Sequence, residues 1–155
     1  MKVVFDIDGV LADVRKYVVE CLPHDWKEYF SHTEEFLCVL PLVALLCSLQ
    51  SKPYHKVYLA TGRPESNRVA TENWLRKELP ACRVPSHLLM MRRNNDSRTT
   101  CEIKMQWFRD IRPDLIVDDD PEVAEAATKE GFVVLQVHGF RATKNDWIPT
   151  NYLRE

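Results

Sequence analysis

The chain has 155 residues, 45% of them apolar and 28% charged, with a formal net charge of -2. That length holds one core and one domain with room for a small insertion, and the charge leaves no global positive field to draw the molecule to nucleic acid. No apolar run approaches the ~20 residues of a membrane span, and the N-terminus enters a strand without a signal-peptide pattern. The five cysteines (Cys21, Cys38, Cys47, Cys82, Cys101) form no C-x-x-C pair. They read as free buried thiols of a cytoplasmic protein. The five histidines lack zinc-ligand spacing.

In chain order, Val3, Val4 and Phe5 read as a buried strand that runs into Asp6, Asp8 and Gly9. Two carboxylates that close repel each other and need either a proton or a cation. Residues 14–52 are too long for a single crossover helix and carry Tyr17, Trp26, Tyr29 and Phe30. They read as short helices, with a small helical cap at about 14–35, followed by a helix over about 36–50. The aromatics could form the cap's own core or a stacking surface for a base.

A second apolar run, Val57–Ala60, exits into Thr61, Gly62 and Arg63. A hydroxyl, the amides around a glycine and a guanidinium together make a phosphate cradle. Residues 66–79 follow as a helix with Val69, Trp74 and Leu75 near one face, stopped by Pro80. Arg63, Arg68, Arg76, Lys77, Arg83, Arg92, Arg93 and Arg98 make the middle of the chain more basic than its end, which fits either a solvated surface or a strand path for a phosphate backbone. Residues 101–111 read as a largely buried helix carrying Lys104. A third run, Leu115–Val117, exits into Asp118, Asp119 and Asp120. Asp120 before Pro121 starts a helix that runs to Glu130 and ends at Gly131. A fourth run, Phe132–Val137, has no polar exit.

Alternating strands and helices imply an α/β domain with a mostly parallel sheet covered on both faces. Ligands of such sheets bind beyond the carboxyl ends of the strands, so the three polar exits converge on one crevice. Four carboxylates meeting there call for a cation, and oxygen-only ligands suit Mg2+.

The ordered set "DIDGV" at 6–10, "TGR" at 61–63, Lys104 and "DDD" at 118–120 resembles the four motifs of the haloacid dehalogenase (HAD) superfamily of phosphohydrolases. Within it, "LATGRPESNRVATENWL", "LLMMRRNND" followed by "EIKMQWF", and "PDLIVDDDPEVAEAATKEGFVVLQV" are similar to the phosphatase domain of polynucleotide kinase–phosphatases, over roughly residues 2–140. The resemblance implies a HAD-like Rossmannoid three-layer fold with a cap inserted after the first strand, one domain over 1–155. It implies a Mg2+-dependent phosphomonoester hydrolase that works through an aspartyl-phosphate. Asp6 would be the nucleophile and Asp8 the general acid–base. Thr61 and Lys104 would contact the phosphoryl group, and Gly62, Arg63 and Arg92 would bind substrate. Asp118 and Asp119 would hold Mg2+, with an Asp6 oxygen and the Asp8 carbonyl.

Two positions depart from those relatives. Thr100 stands where they usually carry an aspartate, and Asp120 where they often carry an arginine. No phosphate-loop motif of a kinase half occurs, so the chain reads as a stand-alone phosphatase, one that could act beside a separate kinase or ligase. The opening "DIDGVLAD" also looks like 5'(3')-deoxyribonucleotidases, which act on free nucleoside monophosphates. The substrate readings are a polynucleotide 3'-phosphate, a mononucleotide or another small phosphorylated metabolite. A phosphate-binding interaction module without turnover is the non-enzyme alternative.

Overall fold

The computed structural model describes residues 1–22 and 25–139. Its main sheet has five parallel strands in the order β5-β4-β1-β6-β7: β1 (Lys2–Phe5), β4 (Lys56–Pro64), β5 (Leu89–Arg92), β6 (Leu115–Asp118) and β7 (Val134–Gln136). β1 is central, pairing Phe5 with Leu59 on one side and with Val117 on the other. That register brings the chain beyond Phe5, Leu59 and Val117 to the same sheet edge.

The side chains of β1 alternate between two cores, as the period of a strand requires. Val3 and Phe5 face Leu46 of α3 (Leu40–Gln50) and Trp74 of α4 (Arg68–Glu78), while Val4 faces Met105 and Phe108 of α5 (Thr100–Ile111) and Val123 and Ala127 of α6 (Pro121–Lys129). The result is helix, sheet, helix. Asp120 caps α6 by accepting from the Glu122 amide at 2.9 Å, and Thr99 with Glu102 forms a capping box on α5.

The segment between β1 and α3 is an elaborated insertion. Two short antiparallel strands, β2 (Ala12–Asp13) and β3 (Leu37–Cys38), close a loop that carries α1 (Arg15–Cys21), α2 (Trp26–Ser31) and a 3-10 turn at Thr33–Glu35. It is moored to α4: Trp74 donates its indole N–H to the Phe36 carbonyl at 2.7 Å, and Asn73 donates to Glu34 at 2.9 Å. The cap expected at about 14–35 falls within this insertion, with Pro23 and His24 outside the described residues.

Four expectations change. The helix expected from about 36 begins at Leu40, because residues 37–38 pair as β3. Val69 is exposed, and the inner face of α4 is built from Thr71 and Trp74 instead. β5 is an additional strand whose apolar residues, Leu89 and Met91, alternate with half-buried ones. Cys47 and Cys82 are joined as a disulfide with Cα atoms 5.3 Å apart, leaving Cys21, Cys38 and Cys101 free. A sequence separation of 35 hides that proximity, which arises only when α3 lies beside the loop after α4.

Candidate active site

β1 ends in a tight loop that aims two carboxylates in different directions. The Ile7 carbonyl accepts from the amides of Val10, Leu11 and Ala12, and Gly9 adopts φ +80°. A side chain at Gly9 would collide with the Asp119 carboxylate, so glycine serves both the turn and the close approach.

Asp6 is buried and points to the exit of β6. Lys104, 2% exposed on α5, places its Nζ 3.1 Å from Asp6 Oδ1 and 2.7 Å from Asp118 Oδ2. The other Asp118 oxygen accepts from the Asp120 amide at 3.0 Å. Carboxylate oxygens of Asp6, Asp118 and Asp119 lie within 4.8 Å of one another. Burial pushes the Asp6 carboxyl well up; Lys104 opposes that, and Asp118, Asp119 and Asp8 push further. Burial alone would lower the Lys104 ammonium, but Asp118 and Asp6 outweigh it and hold the lysine charged.

Asp8 faces β4. Arg63 grips it through two parallel bonds, Nε to Oδ2 at 2.9 Å and Nη2 to Oδ1 at 2.6 Å. The arginine side chain is fully buried, between the rings of Phe36 and Trp74, whereas Asp8 keeps 24% of its side chain exposed. Burial acts to lower the Arg63 guanidinium, and Asp8 more than reverses it. Tyr29 of the insertion is buried near Asp8; burial and that carboxylate push the phenol well above its usual range.

Thr61 is buried between these two halves, and its hydroxyl accepts from the Arg63 amide at 3.2 Å. Gly62 packs on Thr100, leaving no room for a side chain: a Cβ there would meet Thr100 at 2.9 Å. Arg92 is turned inward. It donates to the carbonyls of Gly62 (3.2 Å), Asp96 (3.2 Å) and Arg98 (2.6 Å) and to Thr100 Oγ1 (2.8 Å). Among the other basic residues of this stretch, Arg98 pairs with Asp96 at 2.6 Å.

The structure therefore brings Asp6, Asp8, Thr61, Gly62, Arg63, Lys104, Asp118 and Asp119 to one crevice. Arg92 stands beside it, and both Arg63 and Arg92 have their guanidinium groups bound to protein atoms. The Asp8 side chain, held by Arg63, is not part of the three-carboxylate group. Sequence reasoning did not single out Thr71 or Asn67, which complete the surroundings of Arg63. Their spacing of four on one helix face was the available signal.

These residues fit a divalent cation. Asp6, Asp8, Asp118 and Asp119 against Lys104 and Arg63 leave an excess of negative charge in a site that is mostly buried. Hard carboxylate oxygens are the donors that Mg2+ takes.

The chain matches the model of the polynucleotide kinase PNKP phosphatase domain over residues 1–140. It belongs to that family. Among solved structures it is similar to a chain of the Pnkp1/Rnl/Hen1 RNA repair complex, at 25% identity and a TM-score of 0.69, covering 88% of this chain and 42% of that one. The chain thus spans less than half the length of that relative. The Class C acid phosphatase from Bacillus anthracis is 16% identical with a TM-score of 0.63, covering 88% of this chain and 66% of that one. A HAD family enzyme from Bacteroides thetaiotaomicron, solved with magnesium and inorganic phosphate, is 12% identical with a TM-score of 0.50, covering 99% of this chain and 98% of that one. The last two likenesses show the HAD-like α/β fold. No curated protein matches the chain. No helix among the described residues is long and apolar enough to cross a membrane.

Proposed function

We propose that this phosphatase-family chain is a Mg2+-dependent phosphomonoester hydrolase that removes phosphate from polynucleotide 3'-ends through an aspartyl-phosphate. The observation that carries the reading is the division of labour between Asp6 and Asp8. Asp6 is buried among Lys104, Asp118 and Asp119, while Asp8 is accessible and held by Arg63.

In the proposed reaction an Asp6 oxygen attacks phosphorus, and the bond to the leaving oxygen breaks as Asp8 delivers a proton to it. Asp8 then takes a proton from water, which attacks the phosphorus and frees Asp6. Lys104, the Thr61 hydroxyl and the Gly62 amide stabilise charge on the phosphoryl oxygens. Asp6, Asp118, Asp119 and the Asp8 carbonyl would hold Mg2+, which supplies charge neutralisation at the phosphoryl group. Arg63 and Arg92 serve substrate binding by fixing Asp8 and the Gly62 turn.

Support for a nucleic-acid end comes from the family match and from the likeness to a chain of an RNA repair complex. Action beside a separate ligase or kinase, in the cytoplasm, extends the same reading. One observation favours a mononucleotide instead: Trp26, 56% exposed and stacked with Phe30 on the insertion, offers a face for a single base. Phosphate release from a 3'-phosphorylated oligonucleotide, compared with 3'- and 5'-mononucleotides, separates the two. Preference for the oligonucleotide supports the first reading, and preference for mononucleotides replaces it with a nucleotidase.

A further inference from the structure

Asp8 is connected to the insertion by a partly buried chain of hydrogen bonds. Arg63 binds Asp8 with Nε and Nη2, which leaves Nη1 to donate to Thr71 Oγ1 at 3.1 Å. Having accepted that bond, the Thr71 hydroxyl donates to Asn67 Oδ1 at 3.1 Å. The Asn67 amide nitrogen donates to the Phe30 carbonyl at 3.3 Å. Thr33 Oγ1 lies 2.8 Å from the Phe30 carbonyl and 3.0 Å from Asn67 Oδ1. Two hydroxyls on the oxygen side and a carbonyl on the nitrogen side fix which way the Asn67 amide faces.

The middle of the chain is dry. Thr33 and Thr71 have no exposed surface and Arg63 has 1%. A guanidinium so placed has one orientation that satisfies it, because its five donors lie in a rigid plane. Removing the acceptor on Nη1 leaves a buried donor unpaired and frees the plane to tilt away from Asp8. From the other side, the Tyr29 ring packs against Phe36, 5.4 Å between centroids, as Phe36 in turn covers Arg63. Both arms start in the segment 29–36.

We infer that Thr71 and Asn67 are positioning residues that set the angle of the Asp8 carboxylate, so that docking of the insertion on α4 governs proton transfer. The inference rests on the proposed acid–base role of Asp8. Thr71 and Asn67 act through Arg63 and touch no substrate. Binding of the phosphoryl group, which falls to Asp6, Thr61 and Lys104, is left unaffected.

The test compares Thr71→Val and Thr71→Ser with the wild type on a 3'-phosphorylated oligonucleotide. Hydrogen exchange at the Arg63 Nε–H is followed by NMR on the same samples. Thr71→Val keeps the shape and removes the hydroxyl. The expected result is a fall in kcat of about tenfold or more in Thr71→Val with KM within about twofold, and recovery to near wild type in Thr71→Ser. The Arg63 Nε–H exchanges slowly in the wild type and in Thr71→Ser, and at least tenfold faster in Thr71→Val. Unchanged kcat in Thr71→Val, or failure of Thr71→Ser to recover it, overturns the inference. So does unchanged Arg63 exchange, a readout that needs no turnover. A wild type that releases no phosphate overturns the functional reading instead, and the exchange data still decide the hydrogen-bonded chain.

Discussion

Arg63 holds Asp8 in a bidentate grip while the Lys104 ammonium is shared between Asp6 and Asp118, so each aspartate of the motif has its own cation. The pairing with Arg63 orients Asp8 and leaves it partly open, as its proposed acid–base role requires. Arg63→Lys keeps the charge and loses the fork. Breaking such a buried pair outright costs on the order of 3–5 kcal/mol. Lysine is expected to recover only part of this, with kcat reduced by roughly 10²-fold, the lower range for loss of acid–base help. Wild-type activity in Arg63→Lys would show that Asp8 needs no planar partner.

Gly9 is the position where backbone conformation and crowding coincide, at φ +80° beneath the Asp119 carboxylate. Gly9→Ala is expected to lower stability by about 1–3 kcal/mol, as overpacking does. It should also displace Asp119 and weaken Mg2+ binding. Titration of Mg2+ against activity, with a melting curve, measures both. An unchanged Mg2+ requirement would contradict the placement of Asp119 at the cation.

Legibility differed between the two halves of the site. Asp6 and Asp118 were readable because each stands at a strand exit whose place in an α/β sheet is fixed by topology, whereas Lys104, on a largely apolar helix, stood out only as one of the ordered motifs. The partner of Arg63 was not. An arginine in a "TGR" turn reads as a phosphate ligand, and only the tertiary fold shows Asp8, Thr71, Phe36 and Trp74 closing around it. Thr100 is a similar case. Its departure from the relatives' aspartate was visible, while its contacts to Gly62 and Arg92 required the packing of α5 against β4 and β5. β5 was missed because its strand is short and its apolar residues merge with those of the preceding turn. The insertion was legible as something too long for a crossover, but not the two-residue strands that close it, since strands so short leave no period to detect.

The insertion carries a pH signature. His32 lies 3.0 Å from Glu28 and 3.1 Å from Glu35. Its bond to Glu35 raises the imidazole from the ordinary 6.5, against the effect of burial, and Glu28 adds to the rise. The same histidine, with Tyr17, lowers Glu35 from the ordinary 4.5. A raised base contributes fully below 6.5 and fades as the pH climbs through the raised value, whereas a lowered acid contributes above 4.5 and fades as the pH falls. The difference in melting temperature between wild type and His32→Gln should therefore be largest between those values and shrink towards both acid and alkaline pH. A difference independent of pH would contradict the ion pairs.

The Cys47–Cys82 disulfide closes a loop of 35 residues. Loop-closure entropy of that length corresponds to about 4 kcal/mol. Thiol titration of the unfolded oxidised chain should find three reactive groups, rising to five after reduction, in agreement with the free Cys21, Cys38 and Cys101. Reduction should lower the melting temperature, and five thiols before reduction would contradict the pairing.

The most direct test of the central claim is covalent. With a 3'-phosphorylated oligonucleotide labelled at the phosphate and Mg2+ present, acid quench should trap label on the wild-type chain. Peptide mapping should place it on Asp6. Asp6→Asn should carry no label and release no phosphate, with an unchanged melting curve. Label trapped on another residue, or phosphate release by Asp6→Asn at the wild-type rate, would contradict the assignment of Asp6 as the nucleophile.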